Sequence, residues 1–358
     1  MDENKSQPQA AESEVKHVRR KRYKGTHPRN FKEKYKELDP TKYADDVADI
    51  IKKGKTPAGM HISICVNEIL EILNIQPNET GLDCTLGYGG HTQKMLEKLG
   101  ENGHMYATDV DPIESQKTKQ RLEEKGFGED KLTIKLRNFA QIDKFAKEGI
   151  KFDFVLADLG VSSMQIDNPE RGFTFKHDGP LDLRLNPEKG ISAAQRLQKI
   201  RQPELEGLLI ENADEPYAVQ ISNAIIKHLR TGGKIETTKQ LAEVIENALS
   251  FLPAKGKKDA VKKSCQRCFQ AIRIDINKEY EVLYELMDKL PSVLNEGARV
   301  AILTFHSGED RIVKKAFKQY AREGVYSEVA RDVIRASKEE CFLNSRATCA
   351  KLRWAIKA

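Results

Sequence analysis

The chain has 358 residues, 32% charged and 39% hydrophobic, with a formal net charge of +6. That length suits two or so domains with a full core. No apolar run reaches the roughly 18 residues of a membrane span, and the polar first residues lack the apolar stretch of a secretory signal. A cytoplasmic protein with no membrane partner is therefore expected. Cysteines scattered at 65, 84, 265, 268, 341 and 349 fit reduced thiols better than a disulfide framework.

Basicity is local. Residues 16–36 hold ten Lys or Arg against one Glu, interleaved with Tyr23, Phe31 and Tyr35. Cations alternating with aromatics suit a phosphate backbone and stacked bases; a solvated tail is the competing reading. Residues 61–74 place Ile64, Ile69, Leu70 and Leu73 at helical spacing. A strand over about 81–86 follows, then a Gly-rich turn at 87–91 and a helix from near Thr92. Strands over about 104–109, 132–137 and 152–157 alternate with helical patterns, which predicts an α/β fold with a parallel, doubly wound sheet. From 192 to about 290 no strand is expected. SAAQ at 192–195 and TTKQ at 237–240 both match a capping box, so a helical insert is placed over 164–270. The α/β pattern resumes with a helix over 277–290, a buried strand over 299–305 and a helix over 309–322. Two short strands near 327–335 and 351–357 would pair antiparallel at a mixed sheet edge.

The turn at 87–91 points backbone N–H groups and a helix N-terminus at a ligand. Asp109 ends the second strand, where an acid accepts hydrogen bonds from both ribose hydroxyls. This layout suits a dinucleotide or S-adenosylmethionine. Thr92 stands where the third Gly of a G-x-G-x-x-G fingerprint belongs, which weakens the dinucleotide reading. The bland alternative is a tight turn with a capping acid. Residues 158–185, DLGVSSMQIDNPERGFTFKHDGPLDLRL, form a long loop leaving the end of a buried strand, where open α/β sheets bind ligands. Cys265-Gln266-Arg267-Cys268 is a lone CxxC, short of the four ligands of a closed zinc site, so no metal is expected.

LGYGGHT at 86–92, TDVDP at 108–112, NFAQI at 138–142, the block from 158, SAAQRL at 192–197, FQAIRIDIN at 269–277, FHSGEDRIVK at 305–314 and NSRATCAKLRW at 344–354 together resemble the RsmH (MraW) family of small-subunit rRNA cytosine-N4 methyltransferases. The resemblance implies a class I S-adenosylmethionine methyltransferase fold, Rossmann-like, with a helical domain inserted after the fourth strand. Residues 56–163 and 271–358 would form the methyltransferase domain, 164–270 the substrate-recognition insert, and 1–55 a basic N-terminal extension. The implied cofactor is S-adenosyl-L-methionine. Gly89, Gly90 and His91 would line its methionine side, Asp109 its ribose and Phe139 its adenine, with Asp158 and Gln165 completing the pocket. The implied partner is 16S rRNA within the small ribosomal subunit; a homodimer stays open.

The implied reaction is methyl transfer to an exocyclic amine whose lone pair is conjugated into the ring. It needs alignment and an acceptor for the N4 proton. Asp158 is the first candidate acceptor and His306 the second, followed by Ser162 and Asp310. Arg171, Phe173, Lys176 and Arg184 are expected to meet RNA, as is the basic run from Lys255 to Arg267. Gly308 stands where the family commonly has Leu, and Cys268 where it has Thr, which marks a subtype. Another rRNA nucleotide as acceptor and a non-catalytic assembly factor are the alternatives.

Overall fold

The computed structural model describes residues 63–358; the basic run at 16–36 lies outside them. Helix α1 (Val66–Leu73) buries Ile69 and Leu73 and leads to strand β1 (Thr80–Asp83). Helix α2 (Gly90–Leu96) and strand β2 (His104–Asp109) follow. Helix α3 (Pro112–Glu124) starts where Pro112 supplies a ready-made φ and the Asp111 side chain accepts from the N–H groups of Ile113 and Glu114. Strand β3 (Leu132–Leu136), helix α4 (Asp143–Lys147) and strand β4 (Phe152–Asp158) complete the first half. A parallel sheet is covered on both faces, so its central strand reads as a continuous apolar run. In β4, Phe152, Phe154, Val155, Leu156 and Ala157 are all buried.

After β4 comes the short helix α5 (Ser163–Asp167), then an irregular segment bridged at Pro180 to Thr237, and a run of helices. That run comprises α6 (Ala193–Lys199), α7 (Gln202–Ala213), α8 (Ala218–Arg230), α9 (Thr238–Ala248) and α10 (Ala254–Asn277). Both expected capping boxes form, Ser192 with Gln195 and Thr237 with Gln240. The helices share a core of their own that includes Leu197, Leu209, Ile221, Ile225, Leu241, Ile245 and Phe269. Helix α10 kinks at Lys255 and Gly256 and runs on to Asn277, past the expected end of the insert.

Helix α11 (Glu279–Lys289), strand β5 (Leu294–Thr304), helix α12 (Ser307–Arg322), strand β6 (Tyr326–Val329), helix α13 (Lys338–Leu343) and strand β7 (Lys351–Lys357) close the chain. The seven strands lie in the order β3-β2-β1-β4-β5-β7-β6. Strands β1 to β5 pair parallel, and β7 pairs antiparallel with both β5 and β6. The doubly wound, Rossmann-like sheet and its mixed edge are thus as expected. Strand β6 is shorter than its sequence suggests, and only Ile334 bridges back to β7, at Leu352. No helix among the described residues is long and apolar enough to cross a membrane.

Candidate active site

Strand order reverses between β1 and β4, so the loops leaving these strands diverge and open a crevice at their C-terminal ends. On the β1 side, buried Asp83 accepts from the Thr92 hydroxyl at 2.6 Å and from the Thr85 N–H at 2.9 Å. Burial pushes the Asp83 carboxyl above its ordinary value despite these bonds. Thr92, the residue that breaks the dinucleotide fingerprint, is fully buried and pins α2 to β1. Gly89 caps α2 with φ 79°, the left-handed region that favours glycine. A Cβ there would also lie 2.6 Å from the Thr118 methyl.

The acid at the end of β2 holds this turn. The Gly87 N–H donates to Asp109 Oδ2 at 2.7 Å and the Asp111 N–H to Oδ1 at 2.9 Å. Desolvation pushes the Asp109 carboxyl up to about 6, with the N–H donors opposing it. Phe139 lies half-buried in a 3-10 turn after β3, which Asn138 caps.

On the β4 side stands Asp158, whose N–H donates to Thr85 Oγ1 at 2.7 Å. Its Oδ2 lies 3.4 Å from His91 Nδ1, which joins the two walls of the crevice. His91 Nε2 lies 3.0 Å from the Ile64 carbonyl oxygen, an acceptor, so Nε2 carries a hydrogen and Nδ1 faces the carboxylate. Burial pulls the imidazole toward neutrality, but Asp158, Asp83 and the Ile64 carbonyl outweigh it and the net direction is upward. Asp158 Oδ1 is buried and accepts no hydrogen bond among the described residues. A buried carboxylate oxygen without a donor is costly, so hydrogen-bonding capacity is left unused at the end of β4.

The other proposed acceptors are engaged elsewhere. Ser162 caps α5: its hydroxyl accepts from the Gln165 N–H, and the Gln165 side chain returns the bond to the Ser162 N–H. The S-x-x-Q pattern was there to be read as a capping box. His306 caps α12, with Nδ1 accepting from the Glu309 N–H; its Nε2 lies 3.2 Å from Glu309 Oε1 but makes no hydrogen bond among the described residues. Burial pushes Glu309 up, but His306, Arg273 and the Phe305 N–H hold it below the ordinary carboxylate range. Glu279, His306 and Glu309 converge closely enough to hold a metal ion, yet Arg273 already binds both oxygens of Glu279. Asp310 is tied to Arg353 at 2.6 Å and Lys351 at 3.5 Å. Burial raises its pKa, but Arg353 and then Lys351 outweigh that and lower it, which makes it a poor base.

Gln165 joins the crevice from the far side, donating to Asp111 Oδ2 at 2.9 Å. The same oxygen accepts from Arg171 at 2.7 Å, and Arg171 also donates to the carbonyls of Arg184 and Leu185. Arg171 is therefore a buried brace rather than an RNA contact. Phe173 is likewise buried in the helical core, unavailable for stacking. Arg184 is bound to Asp182, while Lys176 is exposed. Cys265 and Cys268 are buried among the same helices. Replacing Arg171 with Met would leave Asp111 buried without its cation. The expected cost is about 3–5 kcal/mol, to be read by urea denaturation; a loss below about 1 kcal/mol would show that the pair braces nothing.

The model of the MraW methylase family matches residues 58–358. The chain is 64% identical over 342 residues to ribosomal RNA small subunit methyltransferase H 1 of Lachnoclostridium phytofermentans, covering 96% of this chain and 93% of that protein. It is also 64% identical over 345 residues to ribosomal RNA small subunit methyltransferase H 2 of Alkaliphilus metalliredigens, covering 96% and 99%. Among solved structures, a SAM-dependent methyltransferase from Aquifex aeolicus aligns with a TM-score of 0.38 at 10% identity, over 89% of this chain and 99% of that one.

Proposed function

The chain belongs to the MraW methylase family, and from that membership we propose that it methylates the exocyclic N4 of a cytidine in 16S rRNA, with S-adenosylmethionine as methyl donor. When bound, the cofactor supplies an electrophilic methyl group on a cationic sulfonium. The crevice has the donor set for it. In the turn from Gly87 to Gly90, the bare backbone of Gly89 packs against Thr118 and Leu122 of α3, and a Gly-rich turn ahead of a helix offers N–H groups to a ligand. Asp109 supplies an acid for the ribose, and Phe139 an apolar surface at the sheet edge for the adenine. Gln165 is held by Asp111 and His91 by Asp158.

The observation that carries the reading is Asp158 Oδ1, buried and without a donor at the end of β4. A cytosine amino group brings hydrogens to such an oxygen. Transfer of the methyl group from sulfur to N4, with a neutral thioether as leaving group, would leave the nitrogen acidic, and Asp158 would take its proton. His91 holds Oδ2, so the accepting oxygen is oriented before the base arrives. Ser162 and Asp310 keep their polar atoms on partners within the fold, and His306 is taken up as the cap of α12, its Nε2 3.2 Å from Glu309 Oε1 but without a hydrogen bond among the described residues. The helical stretch α6–α10 is the proposed RNA-facing part, and the small ribosomal subunit the proposed setting.

The direct test is nucleoside mass spectrometry of 16S rRNA from cells with and without the gene, in a strain lacking any second enzyme that makes the same mark. N4-methylcytidine is expected to disappear on deletion. Its persistence would overturn the proposal, and loss of another methylated nucleoside would move the acceptor.

A further inference from the structure

Between α10, α11 and the head of α12 lies a polar cleft of about 260 Å³. Arg267 and Gln270 line it from α10, Tyr280 from α11, and His306 and Arg311 from the start of α12. It is separate from the crevice at β1 and β4, since neither Gly89 nor Asp109 nor Asp158 lines it. It does lie beside that crevice, because Asp158 is paired with Leu303 on β5, just ahead of His306.

The guanidinium groups are the first clue to a ligand. The Arg311 side chain makes no hydrogen bond or ion pair among the described residues and is exposed. Arg267 has only Glu215, at 3.8 Å, beyond hydrogen-bond reach. A guanidinium carries five N–H donors in a fork that matches phosphate oxygens. Exposed Glu211 and Asp214 share the rim but form no ion pair with either arginine among the described residues.

The approach to the cleft is the second clue. Lys263, Arg267 and Gln270 recur at i, i+4 and i+7, so they lie on one face of α10. Lys258, Lys262 and Lys263 are exposed. A cationic stripe therefore leads along α10 from its open end into the cleft. The floor is aromatic, with the Tyr280 and His306 rings 5.8 Å apart. Gly308 permits this floor, because a Cβ there would fall 1.9 Å from the Tyr280 hydroxyl.

We infer that this cleft is a phosphate subsite for the single-stranded rRNA beside the methylated nucleotide, with Arg267 and Arg311 as the two donors and the Lys263 face of α10 as the approach. A base must leave its stack to be methylated, and a flanking phosphate held by two arginines keeps the strand in register while it does. The inference rests on the proposed function for the identity of the strand as 16S rRNA.

The test measures binding of a 16S rRNA transcript at several salt concentrations for wild type, Arg267→Gln, Arg311→Gln and Arg311→Lys. Each Gln variant is expected to weaken binding roughly 3- to 10-fold and to flatten the salt dependence of log K by about 0.7 per phosphate contact. Arg311→Lys should keep the slope. S-adenosylhomocysteine affinity should not change, which also reports an intact fold. Arg267→Gln removes the cation nearest buried Glu215 and is at risk of unfolding; Arg311 is exposed, so its variants decide the matter alone. Weaker binding at an unchanged slope would mean a base contact and overturn the phosphate subsite, as would unchanged binding. Wild-type protein that fails to bind 16S rRNA would overturn the proposed function together with this inference. Wild-type binding without N4-methylcytidine formation would overturn the proposed function alone.

Discussion

Asp158→Asn should lower kcat for methyl transfer about 10²- to 10⁴-fold while S-adenosylhomocysteine affinity stays within a few fold. Asn keeps the shape of the side chain at the end of β4 but cannot take a proton. The size of the loss is that expected for removing a positioned base. His306 is turned to Glu309, Asp310 to Arg353 and Ser162 to the helix it caps. The substitution carries a second signature. His91 is raised above the ordinary His value by Asp158 and its neighbours against the pull of burial. A raised value means that the pair's stabilisation is fully present below the unfolded His value and is lost as pH rises through the folded one. That pH dependence of the urea midpoint should be largely lost in Asp158→Asn. A variant that keeps wild-type kcat would remove Asp158 from the chemistry, whatever its stability.

Asp109→Ala is expected to reduce cofactor affinity more than about 100-fold by calorimetry, since it strips away a charge-assisted acceptor and the anchor of the Gly87 N–H. Asp109→Asn separates these two losses, because the amide oxygen still accepts from Gly87. Desolvation lifts the Asp109 carboxyl to about 6, so it protonates at a pH where ordinary carboxylates stay charged. If the ionised form is the one that binds ribose, wild-type affinity should fall about tenfold between pH 7 and pH 5. The Asn variant should be weak and flat over the same range. An equally steep profile in Asp109→Asn would assign the titration to another group, and retained affinity in Asp109→Ala would remove Asp109 from the ribose.

The strands and the Gly-rich turn were legible because their signals are local. A buried run such as 152–157 announces a central strand, and a turn followed by a spaced acid announces a nucleotide-shaped site. The capping boxes at Ser192 and Thr237 were legible for the same reason. What the sequence hid is where polar side chains spend their hydrogen bonds. Arg171 reads as a loop cation, yet its partner Asp111 lies 60 residues away. Asp310 reads as a free acid near a strand end until Arg353 arrives from the last strand. Phe173 looks like a stacking residue in a glycine-rich loop, but the loop folds back so that it joins the helical core. In each case the deciding partner is distant in sequence, and residue type alone does not choose between a brace and a contact. Thr92 is the opposite case. Its departure from a glycine fingerprint was visible, and the bond to Asp83 explains it.

The splice of α6–α10 between β4 and β5 has a consequence for how the protein is made. Strand β4 pairs with β1 on one side and β5 on the other. As the nascent chain emerges, β4 can dock on β1 at once, but its other edge stays open until everything between Asp158 and Leu294 has been synthesised. At 5–20 residues per second that wait is on the order of ten seconds. An open, apolar edge is a template for mispairing with another chain. During the same interval the helical stretch has a core of its own in which to bury its apolar surface. Synonymous slowing of translation within 168–293 would lengthen the exposure of β4, and aggregation rather than misfolded monomer is the form in which that delay should appear.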